Sequence, residues 1–264
     1  MNILVRELKA NLKSLLIWGV IVVLFAVVGL SKFSAYADNP EMLAILDAMP
    51  EAMLSAFSLQ AFNLTTVTGF VGIMFSYYAL LLSIAAVMWG SEIISKEERD
   101  KTVEFSLTLP VTRSRVVTAK ALAALFNSVG LLLITWGATL VGAASYQPDG
   151  AFYRFLALCM AALLLMQLVF LAIGLLLGCA MKQYRRASSL AVSLLLGTYF
   201  LSIVVALNDK LDFLKYLTPF KYFDAVKVLN ESRLDAGFVA LSLAIVAASM
   251  AGAYVSYARR DLYI

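Results

Sequence analysis

One short segment of the chain combines many charges with a run of large apolar side chains. Between Glu92 and Lys120 there are eleven charged residues among 29, out of 38 in the whole chain of 264. Four apolar residues alternate within this segment and a proline follows them: Val103, Phe105, Leu107, Leu109 and Pro110. Solvated loops rarely carry such an apolar ridge, because it gains stability only when a partner covers it. Charges that flank an apolar ridge indicate a surface that docks into a groove of another protein.

Residues for catalysis are missing from the chain as a whole. It contains no histidine, which excludes histidine-based metal sites, Ser-His-Asp triads and histidine proton relays. Cys159 and Cys179 are twenty positions apart, or ~30 Å on one helix, too far for a disulfide. The phosphate-loop pattern Gly-x-x-x-x-Gly-Lys-Ser/Thr is absent. We therefore expect no catalytic residue, no metal site, no cofactor held by this chain and no nucleic-acid partner.

The composition predicts a protein that lies within a membrane. Hydrophobic residues make up 62% of the chain and charged residues 14%, against about 45–50% and about 25% in soluble domains. Each of six charge-free intervals is long enough for a spanning helix of about 20 residues. In the longest interval, Asn63, Thr65, Thr66 and Thr68 make the first third too polar for a second span. The expected fold is all-α, with six spans at about 14–33, 67–91, 119–144, 153–180, 187–208 and 236–258.

The distribution of charge predicts the orientation of these spans. If both termini are cytoplasmic, fourteen Lys and Arg residues lie inside and seven outside, while seven acidic residues lie inside and ten outside. Positive charge concentrates on the cytoplasmic side of membrane proteins. We expect a multi-pass protein of the cell membrane with both termini in the cytoplasm. The first apolar run, followed by Ser34-Ala35-Tyr36-Ala37, also has features of a cleaved signal peptide, but its 18 residues are long for one.

Three segments outside the spans have patterns of their own. Residues 1–13 predict an amphipathic elbow helix in the headgroup layer, or else a basic flank that only sets the topology. Its apolar face and its cations are formed by Leu4, Val5, Leu8 and Leu12, and by Arg6, Lys9 and Lys13. The external segment 38–60 predicts a short surface helix. The external segment 209–235, with many aromatic residues and a break at Pro219, suits either lipid anchoring or a substrate gate.

The charged segment 92–118 is ambiguous in its local structure. Alternation of Val103, Phe105, Leu107 and Leu109 fits a strand, but the same residues also fit successive helical turns. Because a lone strand would have no sheet to join, we predict a short helix that Pro110 ends. Thr112 would then cap the next helix. Spacing of small residues further predicts close helix contacts at Gly174 and Gly178, and along Ala248, Gly252 and Ser256.

The run from Glu98 to Lys120, ERDKTVEFSLTLPVTRSRVVTAK, resembles the cytoplasmic loop of type-2 ATP-binding cassette (ABC) exporter permeases. The shared features are an acidic residue, a Thr-hydrophobic-Glu core, a Leu-Pro-Val turn, a basic pair and a closing lysine. Lys101 stands where many members carry glycine. The six-span layout with its N-terminal elbow is similar along most of the chain. The aromatic run Phe220 to Asp224 after Thr218-Pro219 is also similar to the segment before the last span of these permeases.

This resemblance implies a transport function that is driven from outside the chain. Two permeases, identical or related, would pair, and each would seat a coupling helix in a cleft of a separate nucleotide-binding subunit, which holds ATP and Mg. The residues implied in this docking are Glu97, Glu98, Arg99, Asp100, Lys101, Thr102, Val103, Glu104, Phe105, Leu107, Leu109, Pro110, Arg113 and Arg115. The substrate path would lie between spans two and five and suit a peptide, a lipid-like molecule or a drug.

Other classes of function fit the sequence less well. A membrane-embedded enzyme would need paired acids or a nucleophile with its base near the interface, and the sequence contains no such set. A channel or ion-coupled transporter outside the ABC class would be expected to carry ionisable residues in mid-span, which these intervals lack. A membrane anchor for a cytoplasmic partner would share the docking segment but would transport nothing.

Overall fold

Helices account for the regular secondary structure in the part of the chain that the structure describes. The computed structural model describes residues 3–35, 37, 48, 50, 62–99, 112–181 and 183–259, with the backbone alone at 95, 97–99, 184, 185 and 209. The α-helices in these ranges are α1 (Ile3–Phe33), α2 (Val67–Arg99), α3 (Arg113–Ala144), α4 (Gly150–Ala180), α5 (Tyr184–Leu207), α6 (Ala225–Glu231) and α7 (Ala236–Ala258). All of these except α6 are long and apolar enough to cross a membrane. The predicted all-α membrane fold with six spans is confirmed.

The helices extend beyond the apolar intervals that predicted them. α2 continues to Arg99 and α3 begins at Arg113, so both ends of the predicted loop 92–118 are helical. Charged residues are costly in lipid, but Glu, Lys and Arg are good helix formers, so a charge ends a span without ending its helix. The short helix predicted around 103–109 and most of the external segment 38–60 lie outside the described residues.

The elbow helix is not confirmed as a separate element. Residues 3–13 form the first turns of α1, which continues without a break to Phe33. The sequence around the expected bend, Lys9 to Trp18, contains no glycine or proline that would end a helix. At ~1.5 Å per residue, the 31 residues of α1 reach about 46 Å, beyond the ~30 Å hydrocarbon layer. The first turns therefore extend past the apolar run as part of the same rod.

Capping residues explain where several helices begin. The Thr66 hydroxyl accepts a hydrogen bond from the Gly69 amide at 3.1 Å, so α2 begins directly after the polar residues Asn63, Thr65 and Thr66. The Asp149 carboxylate accepts from the Phe152 amide at 2.9 Å and begins α4. Such caps satisfy amides that the first helical turn leaves without partners.

The centre of the bundle is the contact between α2 and α4, the two most buried spans. A Cβ atom placed on Gly174 would lie 2.5 Å from the carbonyl oxygen of Val87, and one on Gly178 would lie 2.7 Å from that of Ser91. Gly90 faces the same contact from α2, with the α4 backbone against it. The predicted contact at Gly174 and Gly178 is confirmed, because only glycine lets two helix backbones approach this closely.

The other spans surround this pair. α1 packs on α3, α5 packs on α2 and α4, and α7 packs on α4 and α3. At Gly252 of α7, a Cβ atom would lie 2.9 Å from the side chain of Leu176. The predicted contact along α7 is therefore confirmed at Gly252, whereas Ala248 is exposed. Most of α1, α5 and α7 is not buried within the chain. Their outward faces are covered with large apolar residues such as Leu16, Val20 and Phe200, which suits lipid or another subunit.

We predict that Gly174→Ala will destabilise the bundle. The new Cβ would meet the backbone of α2, so the two central helices must move apart and lose packing, at a cost of about 1–3 kcal/mol. Thermal unfolding of the purified protein should show a transition several degrees lower. The matched control is Gly137→Ala in α3, where nothing lies within 4 Å of the added methyl group and helix propensity favours alanine. Equal melting temperatures for the two variants would refute the contact.

Candidate functional site

Two regions along α2 bring together the polar and aromatic side chains that could have a function. The first region is called the loop end. It consists of the last turns of α2 from Glu92 on, the first turns of α1 and α3, and the last turn of α7. The charged segment joins α2 to α3 at this end. Phe75 to Ala79 of α2 line a cavity together with α5, and this region is called the cavity end. Residues 80–91 of α2 separate the two regions, or roughly 20 Å along the helix axis.

The structure describes only part of the predicted docking surface. Glu97, Glu98 and Arg99 continue the backbone of α2, and Arg113 and Arg115 lie in the first turn of α3. The predicted residues from Asp100 to Pro110 lie outside the described residues. Docking therefore stays a prediction, while the helices that hold both ends of the segment are in place.

The start of α3 follows the sequence prediction and adds a contact. Thr112 caps the helix, and its hydroxyl accepts from the Arg115 amide at 3.4 Å. Arg113 reaches the end of α7 and donates to the carbonyl oxygens of Tyr257 at 3.3 Å and Ala258 at 3.0 Å. A cation beside the last carbonyls of a helix is stabilising. Arg113 thus ties α3 to α7 at the loop end.

A buried polar cluster joins three helices at the loop end. Lys120 of α3, 1% exposed, donates to the carbonyl oxygen of Ile93 of α2 at 2.6 Å. Its Nζ also lies 3.8 Å from Oε1 of Glu7 in α1, whose side chain is almost fully buried. Arg6 donates to the same carboxylate oxygen at 3.3 Å. Buried charges persist only when they are paired, so this cluster holds the first turns of α1 against the helices that flank the charged segment.

Sequence reasoning missed the role of this cluster. Glu7 and Lys120 are far apart in the chain and were counted only as charges that set the topology. The sequence did single out Lys120, because it is the closing lysine of the segment that resembles the ABC permeases. Of the predicted elbow residues, Leu4 and Leu8 pack against the core, Arg6 joins the cluster and Lys9 is exposed. The cluster therefore gives part of the elbow segment a structural role inside the bundle.

The cavity end contains a cavity of about 80 Å³. Its walls come from α2 and α5 and from the connection between α5 and α6. They combine aromatic rings with hydroxyl and charged groups, among them Phe75, Tyr77, Tyr199, Ser202, Lys221 and Asp224. Tyr199 meets Phe220 edge to face, with the ring centroids 5.3 Å apart. A cavity of this composition can contact the apolar surface of a ligand and form hydrogen bonds with the ligand's polar groups.

The connection between α5 and α6 folds back against the bundle beside the cavity. A 3-10 helix, Asp209–Leu217, ends before Pro219, and a second one, Pro219–Lys221, follows, which confirms the predicted break. Thr218 is fully buried and donates to the carbonyl oxygen of Thr198 at 2.8 Å. Before it, Phe213 and Tyr216 are exposed. The segment thus combines a face directed outward with a part that helps to close the cavity.

Tyr222 anchors the buried part of this connection. Its phenol donates to the carbonyl oxygen of Tyr216, and its ring stacks on Phe238 of α7 with centroids 5.1 Å apart. Burial raises the pKa of Tyr222 above its usual value, so the phenol stays protonated and able to donate. The hydrogen bond and the ring stacking together hold the 3-10 helix near the start of α7.

We predict that Lys120→Met will lower the free energy of unfolding by about 2 kcal/mol or more, because it leaves the buried Glu7 carboxylate with less compensation. Adding Glu7→Gln to this variant should restore part of the loss, which a double-mutant cycle in purified protein measures. The matched control, Lys227→Met, changes an exposed lysine of α6 and should have little effect. If Glu7→Gln and Lys120→Met are simply additive, the two side chains do not act as a pair.

Comparison with known proteins agrees with this architecture. No curated protein matches the chain. The family described as ABC-2 family transporter protein matches residues 1–262, nearly the whole sequence. Its members are membrane proteins of ABC transport systems, in keeping with the six apolar helices and the resemblance of the charged segment. The chain therefore belongs to the ABC-2 transporter family and is a permease-type membrane subunit of that family.

Proposed function

We propose that this chain couples ATP hydrolysis on a separate nucleotide-binding subunit to the export of an amphipathic or hydrophobic substrate. One observation carries the proposal: α2 is a single helix from Val67 to Arg99 that borders the cavity and leads to the charged segment. A push at one end of a continuous helix moves the other end, because its backbone hydrogen bonds resist local bending. Family membership supports the same reading.

In this proposal the charged segment is the docking site for the ATPase. Its predicted apolar ridge would sit in a groove of the partner, and the surrounding charges would select the partner and fix its register. The buried cluster of Glu7 and Lys120 supports this role, because it prevents α1, α2 and α3 from yielding separately where the partner pushes. Such rigidity favours movement of whole helices over local deformation.

The cavity supports the proposed class of substrate. Aromatic and aliphatic walls suit an apolar body, while Ser202, Lys221 and Asp224 suit a polar or charged group. Its position between α2 and α5 agrees with the predicted path between spans two and five. A space of about 80 Å³ holds only part of a peptide, lipid or drug, so the path must widen when α2 and α5 move apart.

The arrangement of the assembly is part of the proposal. Both termini and the loop end would face the cytoplasm of the cell, where the positive charges concentrate. A second permease, identical or related, would complete the transporter, since the exposed apolar faces of α1, α5 and α7 leave room for a partner as well as lipid. ATP and Mg would be bound by the ATPase subunits.

We predict that Phe105→Asp will prevent co-purification with the ATPase encoded or expressed alongside this chain. A charge in the apolar groove should weaken binding by about 2 kcal/mol or more, roughly thirtyfold in Kd. Pull-down from detergent-solubilised membranes measures this. The matched control is Phe213→Asp, since Phe213 is exposed beyond α5 and lies at the cavity end. A complex retained by Phe105→Asp would contradict docking through this ridge.

We predict that Ala206→Trp will impair transport without loss of insertion or ATPase binding. Ala206 lines the cavity, and an indole there would fill it, so uptake into inverted vesicles should fall about tenfold, equivalent to ~1.4 kcal/mol. Candidate peptides, lipid analogues and drugs serve as substrates. The control Ala240→Trp makes the same change at an exposed position of α7. Normal transport by Ala206→Trp would exclude this cavity from the path.

A further inference from the structure

A second pocket, of about 320 Å³, lies between α1 and α2 at the loop end. It is called the α1–α2 pocket, and the side chains that define it are Asn11, Lys13 and Trp18 of α1 with Trp89, Glu92 and Lys96 of α2. The indole nitrogen of Trp89 donates to the Ser14 hydroxyl at 2.9 Å, which fixes the two helices across its floor. Neither the docking segment nor the substrate cavity accounts for this pocket.

The pocket lies where the hydrocarbon layer meets the headgroups. Lys13 is the last charge before the apolar interval of α1, while Lys96 lies just beyond the apolar part of α2. Trp18 and Trp89 are on the apolar side of these lysines, and tryptophan prefers this boundary. The pocket is therefore polar toward the loop end and apolar toward the membrane centre. A phospholipid in the bilayer has its headgroup and its acyl chains in the same order.

Hydrogen-bond donors converge on the polar part. Lys13 and Lys96 line it, and neither forms an ion pair among the residues that the structure describes. The side-chain amide nitrogen of Asn11 is buried and lacks a hydrogen-bond partner within the described part of the chain. Glu92 adds one carboxylate to the lining, and that group is not free. The pocket thus offers two cations and a buried donor, and its single carboxylate has other interactions. This lining favours an anion with several acceptor oxygens.

The apolar part continues along the outside of α1. Ile17 lines the pocket and is 53% exposed, and the next turns of α1 expose Val20, Ile21 and Leu24. An acyl chain lying along this strip would bury apolar side chains that the bundle itself leaves uncovered. Inorganic phosphate would use the polar part alone, so the continuous strip favours a lipid over a free anion.

We propose that the α1–α2 pocket binds the phosphodiester headgroup of an anionic phospholipid. The phosphate oxygens accept from Lys13, Lys96 and Asn11, and the acyl chains follow the exposed strip of α1 toward the membrane centre. Basic pockets between transmembrane helices are suited to such headgroups. The bound lipid would hold the first turns of α1 to the last turns of α2. This proposal does not depend on the proposed transport function, since it requires neither ATP nor a substrate.

Tryptophan fluorescence provides a direct test, because two of the three tryptophans line the pocket. The full chain with Trp136→Phe, which removes the third, is reconstituted in phosphatidylcholine nanodiscs and titrated with brominated phosphatidylglycerol or brominated phosphatidylcholine. We expect the anionic lipid to quench at lower mole fraction. Lys13→Gln and Lys96→Gln should each weaken this preference about fivefold, in keeping with the contribution of one lysine near a membrane surface.

The matched control is Lys32→Gln, an exposed lysine at the other end of α1, which should keep the preference. Asn11→Asp adds a carboxylate to the pocket without removing a lysine and should also weaken the preference, so one misfolded lysine variant would not decide the test. An equal loss in Lys32→Gln would overturn the proposal in favour of general surface charge. If inorganic phosphate at the same headgroup concentration removed the preference, the site would bind free phosphate and the lipid assignment would be wrong.

Discussion

The close contact between the backbones of α2 and α4 is the constraint on which the rest of the structure depends. In lipid, apolar side chains gain little by meeting one another, so helices associate through tight packing and interhelical hydrogen bonds. Gly90, Gly174 and Gly178 allow that packing, since any side chain there would strike the opposite backbone. The contact sets the position of α2, which borders the cavity and leads to the charged segment. The cavity and the loop end therefore hold a defined position relative to each other.

Some polar groups inside the bundle bond to their own helix, and others link neighbouring helices, as Gln167 of α4 does when it donates to the Ser128 carbonyl of α3 at 3.3 Å. Hydroxyls in the middle of α3 bond back to their own helix, as Thr135 does to the Leu131 carbonyl at 2.8 Å. The buried ion pair of Glu7 and Lys120 lies at the loop end, and the buried turn at Thr218 lies at the cavity end. Both of these anchor helix ends, where a partner or a substrate would act. Anchored helix ends suit helices that move as whole units.

The sequence predicted features that depend on solvent and on local geometry. Apolar intervals predicted the six spans, Thr112 and Pro219 predicted a helix start and a break, and the spacing of Gly174 and Gly178 predicted a contact. It did not predict the partner of that contact or the pairing of Glu7 with Lys120, because both depend on which helices become neighbours. The elbow is not confirmed as a separate helix, for a different reason. Amphipathic periodicity shows which face of a helix is polar, but nothing in that stretch stops the helix from continuing straight into the span.

The central claim is that α2 transmits ATP-driven movement from the loop end to the cavity, and a distance across the cavity tests it most directly. Spin labels at Tyr77→Cys and Val204→Cys would sit on exposed positions of α2 and α5, while the native Cys159 and Cys179 are buried. Electron–electron double resonance on the reconstituted transporter measures the separation with and without ATP. The account predicts a shift of several ångströms when ATP binds the partner subunits, and none with Phe105→Asp. An unchanged distance in a complex that hydrolyses ATP and transports its substrate would contradict it.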